Sequence, residues 1–259
     1  MKKILAALAA VVGAAVIAGG ALAITYGQLD GNRHPEVGAL VGTFSSGTFP
    51  YCSGTLISPT VFLTAAHCDI GRSTVSVTFD SQYTSRSKLY TGTYHADPLF
   101  GGGQGDAHDI AVVVFSKPIS GLTPAYLPTA GLLDRMKSDG TLNNATKFTA
   151  VGYGGQERSF ADQGTWFIAY QDAREYAVSS YNSLNKGYMR LSQNPSHGDG
   201  GTCYGDSGGP NFLGAGAGET TTIAGITITG DTPCTSTNVI YRLDTQSARA
   251  FLGQFVTLP

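Results

Sequence analysis

Apolar residues along this chain come in short runs broken by Gly, Ser, Thr and Pro, and almost every run has the length and β-branched content of a strand. Residues 36–42 form the first. Residues 52–57 and 61–66 form the next two, separated by a Ser58-Pro59-Thr60 turn. Residues 74–79 and 109–115 follow, the second just after the flexible Gly101-Gly102-Gly103. The stretch from Pro118 to Pro128 has the composition of a crossing linker. Strand signals then resume at 147–152, 165–169, 188–191, 220–229 and 238–243. The period changes only at the end, where Ala248, Phe251, Leu252 and Phe255 recur at helical spacing behind Asp244-Thr245, a candidate cap. The pattern predicts one amphipathic C-terminal helix on a β body. Many short strands split by one linker predict an all-β molecule of two packed barrels. Trp166 and the aromatic residues near it are read as barrel packing.

The first 23 residues are a separate object. Lys2 and Lys3 precede an apolar run from Ile4 to Ala18, and Ala21-Leu22-Ala23 has the small-x-small form of a signal-peptidase site. Residues 1–23 therefore read as a signal peptide, with a retained membrane anchor as the alternative. Cleavage would release a secreted chain beginning at Ile24, with no membrane association afterwards. Export makes the four cysteines readable as two disulfides. Three pairings are possible; proximity in sequence favours Cys52–Cys68 and Cys203–Cys234, each worth roughly 3 to 4 kcal/mol by loop-closure entropy. No cysteine pair has Cys-x-x-Cys spacing, so no metal site is expected. Charged residues are only 13% of the chain and no basic run occurs, which argues against a nucleic-acid partner.

Chemistry concentrates in Gly205-Asp206-Ser207-Gly208-Gly209-Pro210. A serine hydroxyl needs a base to take its proton. Glycines around it let the chain turn sharply and bring amide N–H groups close to a reacting oxygen. Of the five histidines, His34, His67, His95, His108 and His197, none follows Ser207. That excludes an α/β-hydrolase, whose acid and histidine lie downstream of the nucleophile. His67 is best placed, at the end of a strand and beside Cys68. A carboxylate must then hold the imidazole. Asp109 abuts the apolar run Ile110-Ala111-Val112-Val113-Val114-Phe115, where an unpaired charge is costly. Asp106, on the glycine loop, is its rival, and His108 is peripheral.

With the order His67, Asp109, Ser207 in place, Thr64-Ala65-Ala66-His67-Cys68, Asp109-Ile110-Ala111 and Gly205-Asp206-Ser207-Gly208-Gly209-Pro210 resemble the three signature motifs of the chymotrypsin/trypsin family of serine proteases, over essentially 24–259. The resemblance implies two antiparallel six-stranded β-barrels around a cleft, with a C-terminal helix. It divides the chain into an N-terminal barrel over 24–125, holding His67 and Asp109, and a C-terminal barrel over 126–259, holding Ser207. It implies a secreted, monomeric serine endopeptidase without a cofactor. Its partners would be a polypeptide substrate and a protein inhibitor. The amides of Gly205 and Ser207 would form the oxyanion hole. Ile24-Thr25-Tyr26-Gly27 resembles the mature N-terminus, whose freed amine would pair with Asp206.

The same comparison puts Gly201 at the floor of the primary specificity pocket, with Thr202, Gly230 and Val239 around it. Trypsin-like members have an aspartate at the floor; its absence predicts a neutral, small or medium apolar preference. Asp199 and Asp231 lie nearby in sequence. Ile228 departs from the pattern, since relatives carry a serine there that holds the catalytic aspartate, and Thr229 replaces a usual aromatic. Without that serine Asp109 is less well held unless Thr227 or Thr229 substitutes. This leaves a second reading, a secreted binding protein of the same fold with weak or no turnover.

Overall fold

A computed structural model of the chain describes residues 24–103, 105, 107–160 and 164–259. The expected leader over 1–23 and the rival Asp106 lie outside the described residues. A two-residue strand β1 (Gln28–Leu29) precedes the first barrel. That barrel is built from β2 (Val37–Phe44), β3 (Gly47–Ser58), β4 (Val61–Thr64), β5 (Thr74–Thr78), β6 (Tyr90–Ala96) and β7 (Ala111–Phe115). It closes in the order β2-β3-β4-β7-β6-β5, and every pairing is antiparallel. Val61–Thr64 and Ala111–Phe115 run side by side in register, Val61 opposite Val114, and all but Val114 of these nine side chains are buried. A strand covered on both faces tolerates such a continuous apolar run.

The helix α1 (Leu132–Ser138) follows the first barrel in the chain, and its Leu133 packs into the core of the second with Phe148 and Met189. The second barrel takes β8 (Lys147–Gly152), β11 (Glu175–Leu184), β12 (Tyr188–Ser192), β13 (Pro210–Leu213), β14 (Ile223–Gly230) and β15 (Thr237–Arg242). Its ring closes where β11 pairs with β8, and β1 adds to the edge of β11. A small hairpin of β9 (Ser159–Phe160) and β10 (Trp166–Phe167) stands outside both barrels. Trp166 is half exposed there, its ring under the Arg158 guanidinium at 4.2 Å, so it is not barrel packing. The C-terminal helix α2 (Gln246–Leu252) is capped by Thr245, whose hydroxyl accepts from the Ala248 N–H at 3.3 Å. Its Phe251 packs on Phe255, and Phe255 on His95 of β6, so the helix reaches back to the first barrel.

Six elements were not expected: β1, β6, β9, β11, β13 and α1. The strand β11 reads Glu-Tyr-Ala-Val-Ser-Ser-Tyr-Asn-Ser-Leu and buries Glu175, Ser179 and Ser180, so burial there does not follow side-chain polarity. The helix α1 spans barely two turns, too short for a clear period.

Buried charge ties the segment before β2 to both barrels. Arg174 is fully buried, and its Nε donates to Asp30 at 2.7 Å. Its remaining nitrogens donate to the carbonyls of Gly31, Val37 and Phe79 and to the Tyr153 hydroxyl. Replacing Arg174 by alanine strands the Asp30 carboxylate and several carbonyls. It should lower unfolding free energy by about 3–5 kcal/mol in a denaturant titration, far more than removal of an exposed arginine.

Candidate active site

The turn that carries His67 follows β4 directly, as a single 3-10 turn over Ala66–Cys68. Cys68 is bonded to Cys52 of β3, and the Tyr94 hydroxyl of β6 donates to the carbonyl of Ala65 at 2.6 Å, so the turn is held from two sides. Cys52, Cys68 and His67 lie close enough to suggest a metal, but both sulfurs are committed to the disulfide and no thiolate is left to bind one.

Asp109 is almost fully buried just before β7. Its Oδ2 faces His67 Nδ1 at 2.7 Å, and its Oδ1 accepts the His67 backbone N–H at 3.0 Å. That two-point contact fixes the ring and leaves Nε2 toward solvent, with a third of the histidine side chain exposed. His108 turns away to Asp97, at 3.0 Å from Nδ1. The other histidines are placed elsewhere: His34 is held between Asp30 and Glu219, His95 lies against Phe255, and His197 is exposed.

The loop before β13 carries Ser207. Gly205 has φ +100° and Gly208 φ +79°, values that favour glycine. A Cβ at Gly208 would also fall 2.3 Å from Thr64 Oγ1 and 2.6 Å from the Ser53 carbonyl. The loop therefore sits directly on the first barrel. Ser53 of β3 laces the two together: its N–H donates to the Ser207 carbonyl at 2.8 Å, its hydroxyl to the Gly205 carbonyl at 2.9 Å. The Tyr204 carbonyl accepts the Gly155 N–H at 2.8 Å. Because a trans peptide is planar, this turns the Gly205 N–H the opposite way. That N–H has no hydrogen-bond partner among the described residues, and Gly205 lines the cleft. Ser53 and Gly155 were not singled out in the sequence; their contacts cross about 50 residues or more of chain and carry no local signal.

His67, Asp109 and Ser207 all line one cleft of about 970 Å³. Thr202 and Gly230 line it as well, but Gly201 and Val239 do not. Asp199 is also absent from the cleft wall; it is buried with Lys147, 3.0 Å away. Ile228 and Thr229 are part of the wall. The Thr227 hydroxyl accepts from the Asn211 amide at 3.0 Å, and among the described residues both hydrogen bonds that Asp109 accepts come from His67. The second disulfide, Cys203–Cys234, joins the Ser207 loop to the loop after β14.

Asp206, beside Ser207, is fully buried and accepts the N–H groups of Gly154 (2.8 Å) and Cys203 (2.9 Å). It has no cationic partner among the described residues. Burial pushes its carboxyl up to about 7 in spite of those two donors. Ile24 is also fully buried, at φ +51°, and the next residue bridges the chain ahead of Ser207: the Gly201 N–H donates to the Thr25 carbonyl at 3.0 Å. No hydrogen bond or ion pair joins Ile24 to Asp206; in the intact chain the Ile24 nitrogen is an uncharged amide.

A solved structure of HL collagenase superposes with a TM-score of 0.67 at 17% identity, covering 89% of this chain and 97% of that one, and shows the same fold. The family model described as Trypsin matches residues 31–250. Since that span runs through both barrels and includes His67, Asp109 and Ser207, the chain belongs to the trypsin family of serine endopeptidases.

Proposed function

We propose that this chain is a secreted endopeptidase that cleaves peptide bonds through an acyl-enzyme on Ser207. The observation that carries the reading is the His67–Asp109 pair at 2.7 Å, opening onto the cleft that Ser207 shares. His67 Nε2 takes the Ser207 hydroxyl proton as Oγ bonds to the scissile carbonyl carbon. Asp109 holds Nδ1–H and stabilises the imidazolium. The Gly205 and Ser207 N–H groups receive the oxyanion. The imidazolium then gives its proton to the leaving amine, and the C–N bond breaks. Water, deprotonated by His67, attacks the ester; the carboxylic acid leaves and Ser207 recovers its proton.

The His67 backbone N–H supports Asp109 where relatives use a serine hydroxyl. Absence of that serine favours a second reading, a binding protein of the same fold with little turnover. A fluorophosphonate separates the two: the enzyme should label rapidly at Ser207 and lose hydrolysis in step. Slow or substoichiometric labelling of folded protein would favour the binder. We divide the chain into 24–125 and 126–259, with processing at Ile24. N-terminal sequencing of secreted material should read Ile-Thr-Tyr-Gly.

A further inference from the structure

We propose that Asp172 is a specificity residue of the cleft: its carboxylate receives a lysine or arginine side chain of the polypeptide substrate, within the first residues after the scissile bond. The proposal rests on the endopeptidase reading above. Three carboxylate residues line the cleft, Asp109, Asp172 and Asp231, and no lysine or arginine lines it among the described residues. Asp109 is paired with His67. Asp231 accepts the N–H groups of Thr235 (3.0 Å), Ser236 (3.0 Å) and Thr237 (2.6 Å). The Asp172 carboxylate has neither a hydrogen bond nor an ion pair among the described residues. The residue is half-buried, and burial with no donor to offset it pushes its carboxyl up. A carboxylate in that setting is one that a cation brought by a substrate would stabilise.

The backbone holds Asp172 in this place. Its φ is +53°, a left-handed conformation that aspartate and asparagine adopt more readily than other side chains but that still needs support. The support comes from the first barrel, from the chain between β5 and β6. The Asp172 carbonyl accepts the Tyr83 N–H at 2.7 Å and the Gln82 side-chain amide at 3.3 Å. The same amide donates to the Gln171 carbonyl at 2.7 Å, and Gln82 bridges to Ala173. On the other side Tyr170, also in the cleft wall, stands against Gly155; a Cβ built there would fall 3.2 Å from the tyrosine ring.

These ties place Asp172 with the leaving half of the substrate. The wall of the primary pocket belongs to the second barrel, around Thr202 and Gly230, and holds the side chain before the cut. Asp172 enters the cleft from a segment bonded not to β14 or the loop after it but to residues 81–83 of the first barrel. A peptide whose acyl half lies along β14 therefore brings its other half toward Asp172.

The test is a peptide library that keeps the best-cleaved sequence before the cut and places Lys, Arg, norleucine or Glu at each of the first three positions after it. It is assayed with the parent protein, Asp172→Asn and Asp172→Gly. Both replacements suit a left-handed backbone. Thermal melts check the fold, and fluorophosphonate labelling checks the site. At one of the three positions the parent should prefer Lys and Arg over norleucine and norleucine over Glu, and the preference should shrink as salt rises. Asp172→Asn keeps the shape and removes the charge. It should lower the Lys-to-norleucine ratio of kcat/KM by at least about fivefold, the upper range for an exposed ion pair. Asp172→Gly should do the same, and carries the test if the asparagine variant fails to fold. An unchanged ratio, or an equal fall for every peptide, would make Asp172 a structural residue only and overturn the proposal. So would a basic preference found only before the cut, which would point to Asp231 instead. An active parent with no preference after the cut overturns this proposal alone. A parent with no hydrolysis that Ser207→Ala removes would overturn the endopeptidase reading, and this one with it.

Discussion

Ser207→Ala should lower kcat/KM on any peptide the parent cleaves by a factor on the order of 10⁴ to 10⁶ while leaving the melting temperature nearly unchanged. The hydroxyl makes no hydrogen bond among the described residues, so its loss strands no partner. The backbone of the loop is fixed independently, by Ser53 to the Ser207 and Gly205 carbonyls and by Gly155 to the Tyr204 carbonyl. Substrate should still bind, which makes the variant the control for every assay above. Asp109→Asn tests the same machinery from the other side. The asparagine retains an acceptor oxygen but offers an NH₂ where His67 Nδ1 needs an acceptor, and kcat should fall by about 10⁴. Because among the described residues both hydrogen bonds to Asp109 come from His67, none of those residues would hold the wrong tautomer in check. A loss of less than about tenfold in either variant would remove these residues from the chemistry.

The second large effect should depend on whether the chain has been processed. In the intact chain Asp206 is buried with no cationic partner among the described residues, and its carboxyl stands at about 7, against 3.8 in the ordinary carboxylate. The folded state therefore holds a proton that the unfolded state releases. The stabilisation is complete below pH 3.8 and is lost as pH rises through about 7. Intact chain should thus melt lower at pH 8 than at pH 5, and Asp206→Asn should reduce that difference. Cleavage before Ile24 changes the sign of the interaction. A freed ammonium, reaching Asp206 from the segment already bridged to Gly201, would favour the carboxylate and offset its burial. Asp206→Asn in processed protein should then cut kcat by roughly 10²–10³, on the scale of losing one oxyanion donor, because the freed amine loses the carboxylate that also accepts the Gly154 and Cys203 N–H groups flanking the Ser207 loop. Activity should also fall above roughly pH 9 as the amine deprotonates. If Asp206→Asn retained full activity in processed protein, the pairing of Ile24 with Asp206 would be ruled out.

How far the fold was legible depended on the element. Strands with continuous apolar runs, such as Ala111–Phe115 and Lys147–Gly152, were found nearly to the residue, since a run of that kind has nowhere to go but a core. Glu175–Leu184 escaped because its buried face carries serine and glutamate, whose burial depends on partners far away in the chain. The hairpin around Trp166 was assigned to a barrel on its aromatic content, yet its large side chains stand half exposed.

What the sequence by itself determined was local and ordinal. It carried the order His67, Asp109, Ser207, the glycines that permit the loop at 205–208, the pairing of nearby cysteines, and the period and cap of the last helix. Each of these is a property of a few adjacent residues. Tertiary structure alone decided what surrounds them: Ser53 and Gly155 holding the peptides on either side of Gly205, and Arg174 spanning both barrels. Those contacts arise when two barrels close and their loops meet. A hydrogen bond between residues brought together by closure leaves no period, spacing or run in the chain from which to read it.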